Sequence, residues 1–286
     1  MDAQTYIGID LGGTNIRGAR VTENRLSPIL LQGINSKETA EKVLHQLFSL
    51  TDELMIDAVK AIGIGVPGLV DITTGTVYDV VNIPSWKKIS LQKLMEERYK
   101  IPVVVNNDAN CFALGEFYFG SGKGCHSMVG ITIGTGLGSG IIINGKLYAG
   151  TNCGAGEFGM VDYLDHCYEY YASGEFFKNV HGVDGEVVFK NAGEGDADAL
   201  KMYQEFGLHL GNAIRMILFT LDPELIVFGG SVRKAFPFFS KAMWQVLQTF
   251  PFQRTVDRLR IEVSALENSG ILGAAALYND LHTCRV

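Results

Sequence analysis

The chain has few cysteines and no apolar stretch long enough to cross a membrane. Its five cysteines, at positions 111, 125, 153, 167 and 284, form no close pairs. Their odd number and spacing argue against a disulfide framework, so we expect reduced, mostly buried thiols. Polar residues or glycines interrupt every apolar run, and the opening MDAQTYIGID has neither the basic nor the apolar region of a signal peptide. We therefore expect a cytoplasmic protein with no membrane association.

The sequence also lacks a Lys/Arg-rich run, a linker and a low-complexity tract. The formal net charge is −7, and the pI is near 5.4. This balance argues against a nucleic-acid or anionic-membrane partner. An anionic substrate would need local compensation, for which we expect magnesium. The 286 residues, of which 47% are hydrophobic and 19% charged, predict one large or two medium soluble domains.

Glycine, by contrast, is abundant, and two glycine-rich segments share one design. They are GIDLGGTNIRGARV at 8–21 and GITIGTGLGSGIIING at 130–145. Each predicts a strand, a tight turn and a second strand, and glycine lets backbone N–H groups approach an anion closely. Thr14 and Thr135 add hydroxyl donors, and Arg17 adds a cation. An ordinary hairpin would explain either turn alone, but the repetition favours two phosphate-binding turns. The matched glycines are Gly8 with Gly130, Gly12 with Gly134, and Gly18 with Gly140.

Two familiar phosphate motifs are excluded by their context. Residues 140–146 have Walker A spacing, but Leu147 stands where Ser or Thr should follow. Asn144 and Gly145 instead predict a hairpin turn. A dinucleotide fingerprint needs a helix after its glycines, whereas both turns here run into strand-like sequence.

The remaining pattern predicts alternating strands and helices, and hence a partly parallel sheet of the α/β class. We expect a helix from about Lys37 to Leu54, with Ser36 as its cap. The other predicted elements are a strand at 61–68, a helix at 91–99, a strand at 101–108 leading into a helix near Ala109, a hairpin at 128–148, a helix at 199–221, a strand at 225–230 and a final helix at 270–280.

Asp108 is the strongest candidate for chemistry. It ends an apolar strand where the chain turns into a helix, which is where open α/β sheets bind ligands. Its carboxylate could accept a proton from a bound hydroxyl, or it could only cap the helix. Asn106, Asn107 and Asn82 bring hydrogen-bonding groups suited to a polyhydroxylated substrate, although each alone is commonly a turn residue.

The order of these motifs resembles the ROK family of sugar kinases and repressors, within the actin-like ATPase superfamily. The similar strings are DLGGTNIR, GVPGLVD, NIPSW, NNDANCFALGE, ITIGTGLGSGIIINGKLYAG, GAGEFG and IVFGGSV. The resemblance implies a two-domain, ribonuclease H-like α/β fold with duplicated β-sheet cores flanked by helices and an interdomain cleft. We expect a smaller N-terminal domain at 1–118, completed by a helix at 270–286, and a larger domain at 119–269.

The resemblance also implies an ATP-dependent kinase acting on a hexose, most simply at the 6-hydroxyl of glucose. Asp108 would be the general base, and Asp10 would hold magnesium indirectly. For Asp10 and Glu157, a solvated turn carboxylate and a structural hydrogen bond are the alternatives. The implied sugar-binding residues are Gly68, Asn82, Asn107, Asp108, Glu157 and Glu169. The implied ATP-binding residues are Asp10, Gly12, Gly13, Thr14, Asn15, Arg17, Thr135 and Gly136 for the phosphates, and Gly229 and Gly230 for the adenosine.

Other functions within the same resemblance stay open. They are a kinase for N-acetylmannosamine, N-acetylglucosamine, fructose or allose, and a non-catalytic sugar-binding regulator. Repressors of this family carry an N-terminal helix-turn-helix domain and a basic face, and neither is expected here. A homodimer is expected from the family, and a phosphoryl donor other than ATP remains possible.

The chain departs from the family at one place. Members usually follow GEFG with a histidine and then a cysteine-rich CxCGxxGC segment, which together bind structural zinc. Here Met160 replaces that histidine, and MVDYLDHCYEYYASG follows with Cys167 as its one cysteine. His166 and Cys167 are adjacent and could hardly supply half of a four-ligand site. The missing histidine normally also contacts sugar, so sugar preference is open, while Glu169 still matches the family's sugar-contacting glutamate.

We predict that the purified protein contains no stoichiometric zinc. Elemental analysis of protein prepared without chelators will find far less than one zinc ion per chain. Added zinc will not raise the midpoint of thermal unfolding, because a structural zinc site contributes directly to folding. One zinc ion per chain would contradict this prediction.

Overall fold

The computed structural model describes residues 4–35, 37–80 and 82–282. The chain forms two compact units. The first contains residues 1–126, 140–155 and 265–286, and the second contains residues 127–139 and 156–264. The domain boundaries predicted above stay a prediction.

The first stretch of the chain, up to residue 126, alternates strands with three helices. Its strands are β1 (Thr5–Leu11), β2 (Asn15–Thr22), β3 (Arg25–Leu26), β4 (Leu30–Gly33), β5 (Val59–Val66), β6 (Leu69–Asp71), β7 (Thr76–Tyr78), β8 (Lys88–Ile89) and β9 (Val103–Asn107). Its helices are α1 (Ala40–Leu54), α2 (Leu91–Tyr99) and α3 (Asp108–Phe119).

The rest of the chain is richer in helix. Its strands are β10 (Met128–Ile133), β11 (Leu137–Ile143), β12 (Lys146–Leu147), β13 (Asp162–Tyr163), β14 (His166–Cys167), β15 (Leu225–Gly229) and β16 (Arg260–Val263). Its helices are α4 (Tyr168–Ala172), α5 (Phe176–His181), α6 (Gly185–Gly193), α7 (Ala197–Leu221), α8 (Phe236–Leu247), α9 (Gln253–Arg258) and α10 (Ser269–His282), with 3₁₀ turns at Phe158–Met160 and Val232–Ala235. Across the described ranges, no helix combines enough length with enough apolar character to span a lipid bilayer.

The main sheet of the first unit runs in the order β3-β2-β1-β5-β9, with β4 also paired to β2. Strands β1, β5 and β9 are parallel, as the alternation of strands and helices predicts. Their register sets Asp10 beside Gly65, and Gly65 beside Asn106. The carboxyl ends of the three strands, with the loops that follow them, therefore lie at one edge of the sheet.

Helix α1 covers part of this sheet with its apolar side. Val43, Leu47 and Leu50 of α1 are buried in one hydrophobic cluster with the strands and with the fully buried Trp86. The helix begins at Ala40, three residues later than predicted, and the Thr39 side chain accepts a hydrogen bond from the Lys42 backbone at 3.4 Å. Ser36, the predicted cap, lies outside the described residues.

Helix α10 packs on the sheet and on α3 of the same unit, through backbone contacts that only glycine allows. A Cβ atom on Gly63 of β5 would lie 1.7 Å from the Ala274 carbonyl oxygen. A Cβ atom on Gly273 would lie 1.7 Å from the Cys111 carbonyl oxygen of α3. The small residues near the end of the chain therefore let α10 lie directly on both the sheet and α3.

The second unit has its own parallel strands, β10, β15 and β16, which are paired in that order. Strand β11 follows β10 in the sheet order, and the chain passes from the second unit to the first within it. Helix α7 packs against α8, and aromatic residues fill the core between helices and sheet. The fully buried ones are Phe176, Phe177, Phe206, Phe228, Phe239 and Phe250.

The predicted hairpin turn at Asn144 and Gly145 is confirmed. Both residues have positive φ, at 52° and 73°, as the favoured two-residue hairpin turn requires. The turn joins β11 to β12, with Ile143 paired to Lys146. The Walker A match is therefore a strand and its turn, as the sequence indicated.

We predict that Gly63→Ala destabilises the protein by about 3 kcal/mol or more, because its new methyl group would overlap the Ala274 carbonyl oxygen of α10. Urea unfolding followed by circular dichroism measures the effect. The matched control is Gly193→Ala at the end of α6, where no atom lies within 4 Å of the added Cβ. That change is expected to be neutral or to stabilise by up to about 1 kcal/mol. Equal midpoints for the two variants would contradict the close packing.

Candidate functional site

The first glycine-rich turn joins β1 to β2 directly, as predicted. The Gly12 backbone N–H donates to the Asn15 carbonyl at 2.9 Å, and the Asn15 side chain donates to the Thr14 hydroxyl at 3.2 Å. The backbone N–H of Ile34 donates to the Thr14 carbonyl at 2.8 Å. A strand rather than a helix follows the turn, as predicted, whereas a dinucleotide fingerprint leads into a helix. Hydrogen bonds within the turn and from Ile34 of the following segment therefore hold this exposed turn in place.

Asp10 and Arg17 form an ion pair next to this turn. They face each other in the β1–β2 register, and the Arg17 guanidinium donates to Oδ2 of Asp10. Gly270, in the first turn of α10, lies close enough that a Cβ there would be 3.6 Å from the Asp10 carboxyl carbon. The carboxylate thus lies near the positive end of a helix as well as beside a cation.

This donor set fits an indirectly held magnesium ion. Magnesium takes hard oxygen ligands and is commonly held by one or two carboxylates together with water and substrate phosphates. Asp10 supplies one such carboxylate, and the residues that the structure describes contain no group of three or more His, Cys, Asp or Glu residues that could enclose a metal. An ion here would take its other ligands from water and substrate phosphates.

Asn107, rather than Asp108, is the cap of α3. Its Oδ1 accepts from the backbone N–H groups of Ala109 at 2.8 Å and Asn110 at 3.3 Å. Its Nδ2 donates to the Gly68 carbonyl at 3.2 Å. Asp108 is the first residue of α3 and is exposed, with Oδ1 accepting from the Ala109 N–H at 2.9 Å. The sequence left open that Asp108 caps the helix. In the structure the cap is Asn107, one residue earlier.

A buried polar network lies behind Asp108 and is absent from the sequence prediction. Oδ1 of Asn106 accepts from the Asn107 backbone at 2.8 Å, from Nδ2 of Asn110 at 2.9 Å and from the Cys153 thiol at 3.0 Å. Burial, followed by the charges of Asp108 and Asp10, raises the pKa of the Cys111 thiol well above its usual range. The hydrogen bonds of Asn106 therefore hold the segment that carries Asp108 in place.

The loop with Asn82 touches the first turn. A Cβ atom on Gly13 would lie 2.6 Å from Cβ of Asn82, so glycine is needed for this contact. Gly68 has a φ of 111°, a conformation that favours glycine, and its carbonyl accepts from Asn107. The first unit thus brings the predicted phosphate turn and predicted sugar-side loops together at one sheet edge.

The second glycine-rich turn is tied to Glu169. The Glu169 carboxylate accepts from the Leu137 N–H at 2.9 Å, and a Cβ atom on Gly136 would lie 2.6 Å from its Oε2. The Gly174 N–H donates to the Gly134 carbonyl at 2.7 Å. A residue predicted to contact sugar therefore braces the turn predicted to bind phosphate.

Glu157 lies in the second unit close enough to Glu169 to feel its charge. Partial desolvation, followed by repulsion from Glu169, raises the pKa of Glu157. The residue as a whole remains exposed, so the effect is moderated by solvent. Once ionised, a carboxylate of raised pKa is a more basic hydrogen-bond acceptor than an ordinary glutamate.

The second unit contains a cavity of about 520 Å³ beside the second turn. This volume lies in the range of small-ligand sites. Among the residues predicted to bind ATP, Thr135 lines this cavity. Gly229 and Gly230 do not line it, but they directly precede Ser231, which does. The motifs found in the sequence do not include the acidic residues of this cavity, which are Glu175, Asp184 and Glu186. The lining residues are Gly134, Thr135, Gly174, Glu175, Phe177, Asp184, Gly185, Glu186, Phe189, Tyr203, Ser231, Val232, Lys234 and Ala235.

Gly230 holds the end of β15 against β10. Its φ is 78°, and a Cβ atom there would lie 2.2 Å from the Ile133 carbonyl oxygen. Glycine is therefore required by both conformation and space. The position of Gly230 fixes how Ser231 and Val232 enter the cavity wall.

The segment predicted to lack zinc forms a short hairpin. Strands β13 and β14 pair Asp162 with Cys167 and Tyr163 with His166. The His166 ring stacks on Tyr170, with centroids 3.9 Å apart, and Met160 is exposed. The absence of zinc stays a prediction.

Comparisons with known proteins identify the family to which the chain is similar. The model of the ROK family matches residues 6–281. A glucokinase from Halalkalibacterium halodurans is 31% identical over 321 aligned positions, covering 97% of this chain and 96% of the relative. An N-acetyl-D-glucosamine kinase from Yersinia pseudotuberculosis is 30% identical over 305 positions, covering 96% of this chain and 98% of the relative.

A solved structure is similar over nearly the same length. The ROK family glucokinase from Streptomyces griseus, in complex with glucose and AMPPNP, has a TM-score of 0.79 and 29% identity, covering 96% of this chain and 98% of that one. The predicted actin-like ATPase fold class is confirmed by such neighbours.

We predict that Glu157→Gln removes a pH-dependent loss of stability. Because the folded-state pKa of Glu157 is raised, the folded protein binds this proton more tightly than the unfolded chain does. Its contribution is therefore favourable below the ordinary pKa and is lost as pH rises through the raised pKa. At pH 7 the variant should have a higher free energy of unfolding than the wild type, and the difference should shrink towards pH 4.5.

Urea unfolding at the two pH values tests this, with Glu194→Gln as a control at an exposed glutamate of the same unit. A stability difference for Glu157→Gln that grows as pH falls would show that the sign is wrong.

Proposed function

The chain belongs to the ROK family, and from this premise we propose that it is an ATP-dependent kinase that phosphorylates a hexose hydroxyl. The observation that carries the proposal is the exposed carboxylate of Asp108, at the carboxyl end of β9 in the same unit as a glycine-rich turn. The glucokinase relative and the glucokinase bound to glucose and AMPPNP support the same reaction class.

Each unit contains polar groups that we propose for sugar binding. In the first unit these are Asn82, Asn107 and Asp108, with Gly68 shaping the loop beside them. Asn107 uses its Oδ1 to cap α3 and one amide hydrogen for Gly68, so its second amide hydrogen is the group proposed to reach a sugar hydroxyl. Glu157 and Glu169 would supply acceptors from the second unit.

Each unit also contains groups that we propose for nucleotide binding. Thr135 and Gly136 would bind phosphate oxygens through hydroxyl and backbone donors, as would Gly12 to Asn15 in the first turn. The cavity walls of Phe177, Phe189 and Tyr203 offer apolar surface for a base. Gly229 and Gly230 would hold the loop beside the adenosine. Magnesium bound through Asp10, when present, supplies positive charge against the triphosphate.

The proposed reaction is an in-line displacement. The sugar hydroxyl oxygen, most simply on C6 of glucose, attacks the γ-phosphorus while the Asp108 carboxylate takes up the hydroxyl proton. The bond from the γ-phosphorus to the bridging oxygen breaks, and ADP leaves. Such transfers depend mainly on positioning and on stabilisation of charge, which the braced turns and Arg17 are suited to provide.

An N-acetylhexosamine is the second candidate substrate. The observation that favours it is the 30% identity to an N-acetyl-D-glucosamine kinase over almost the whole chain. The 6-hydroxyl chemistry would be the same, and only the group at C2 would differ. The expected homodimer stays a prediction.

We predict that Asp108→Asn lowers turnover by about 10²–10⁴-fold, the usual contribution of a positioned general base. Its affinity for sugar should change little, because the amide has a similar shape. Magnesium-dependent ADP formation and calorimetric sugar binding measure the two effects. Asp57→Asn, in an exposed turn before β5, is the matched control and should keep full activity.

A panel of hexoses and N-acetylhexosamines completes the test. Turnover selective for glucose supports the first candidate, and turnover selective for N-acetylglucosamine supports the second. Full activity in Asp108→Asn would remove Asp108 from the mechanism. No turnover by the wild type with any sugar of the panel would overturn the proposed kinase.

A further inference from the structure

Helix α4, which carries Glu169, is too short to hold itself in place. It is five residues long, and Cys167 precedes it without a capping hydrogen bond from its side chain. A single helical turn is unstable in isolation, because few hydrogen bonds oppose a large loss of chain entropy. The position of Glu169 must therefore be set by the groups that pack against α4.

Three rings of α4 and three rings beside it contact one another, and we call these six the aromatic cluster: Tyr168, Tyr170 and Tyr171 of α4, with Tyr163, His166 and His209. Tyr163 stacks on Tyr168 with centroids 4.3 Å apart and an angle of 15° between the rings. Tyr171 lies 5.0 Å from His209, and His166 lies 3.9 Å from Tyr170. Each of the three tyrosines of α4 therefore has a ring partner outside the helix.

The aromatic cluster joins α4 to firmer parts of the second unit. His209 belongs to α7, which is 25 residues long and packs against the core. The Tyr163 hydroxyl and Nδ1 of His209 are hydrogen-bonded at 3.2 Å. Tyr163 and His166 are themselves paired in the β13–β14 hairpin. Ring contacts thus connect the long helix, the hairpin and the short helix.

Glu169 lies between two members of the cluster in the sequence and has little freedom at its other end. Its carboxylate accepts from the Leu137 N–H at 2.9 Å, and its Oε2 occupies the space where Gly136 would carry a side chain. A displacement of α4 by a fraction of an ångström therefore changes both the second turn and the direction of the carboxylate.

We propose that the aromatic cluster is a positioning device for Glu169, and that it thereby sets the affinity of the enzyme for its sugar. Tyr163 is its central positioning residue, because it contacts Tyr168 and Tyr171 around α4 and also His209 on α7. The inference rests on the proposed function for its effect on sugar binding. Its effect on the geometry of Glu169 is independent of activity.

The first test compares Tyr163→Ala with Tyr163→Phe. Removing the ring should raise KM for the sugar by about tenfold while kcat changes by less than about twofold, because ring stacking fixes Glu169 without touching the reacting atoms. Tyr163→Phe keeps the ring and should restore a KM close to that of the wild type. Equal KM values for wild type and Tyr163→Ala would overturn the proposal.

A double-mutant cycle separates positioning from general destabilisation. If Tyr163 acts through Glu169, Tyr163→Ala should not raise KM further in a Glu169→Ala background, although it should lower the thermal midpoint in both backgrounds. Independent, multiplicative effects on KM would mean that the ring acts elsewhere and would overturn the proposal.

Hydrogen exchange gives a readout that needs no activity. The Leu137 amide should exchange faster in Tyr163→Ala and Glu169→Ala than in wild type, and at the wild-type rate in Tyr163→Phe. Phe252→Ala, which removes an exposed ring of the same unit, is the control and should leave that rate unchanged. If Tyr163→Ala does not fold, Tyr170→Ala, which loses the His166 stack, takes its place.

The two readouts separate the failure of this proposal from that of the proposed function. A wild type without kinase activity refutes the function, while faster Leu137 exchange in the ring variant still supports positioning. Unchanged Leu137 exchange in a folded ring variant overturns positioning, whatever the enzyme does with sugar.

Discussion

The parallel pairing of β1, β5 and β9 is the constraint on which the candidate site of the first unit depends. It brings the ends of three strands that are distant in sequence to one edge, so that Asp10, Gly65 and Asn106 lie side by side. Each strand then delivers a different group: a carboxylate with its glycine turn, a glycine-shaped loop, and the segment leading to Asp108. These polar groups lie at the edge of the sheet, while the apolar residues of the same strands are buried in the core of the unit.

The two glycine-rich turns share a backbone design but not their supports. The first is braced by the Asn82 loop and by the Asp10–Arg17 pair, whereas the second is braced by Glu169 and by Gly174. The repetition in the sequence therefore specifies the common part, which is a strand, a turn and a strand. The distinct neighbours give the turns different surroundings: a cation beside the first, and a cavity with both acidic and apolar walls beside the second.

Features encoded by local sequence were predictable, and features created by tertiary contacts were not. The turn at Asn144 and Gly145, the long helix α7 and the strand β15 follow from turn chemistry and from unbroken apolar patterns. Helices α4 and α5 have five and six residues, too few for a clear helical period. The cap at Asn107 differs from the alternative at Asp108 by one residue, a common uncertainty at helix ends. The link from Cys153 to Asn106 joins residues 47 positions apart, which spacing alone cannot reveal.

The packing of α10 against β1 and β5 has a consequence for the order in which the two units can fold during synthesis. Strands β1 and β5 are among the early parts of the chain to be synthesised, yet the helix that lies against them spans Ser269–His282. Their helix-facing surface stays uncovered while nearly the entire second unit is translated. Domains generally fold as the chain emerges, so the second unit can complete its core first. The first unit, whose strands β1 and β5 precede the second unit in the chain, is completed after it.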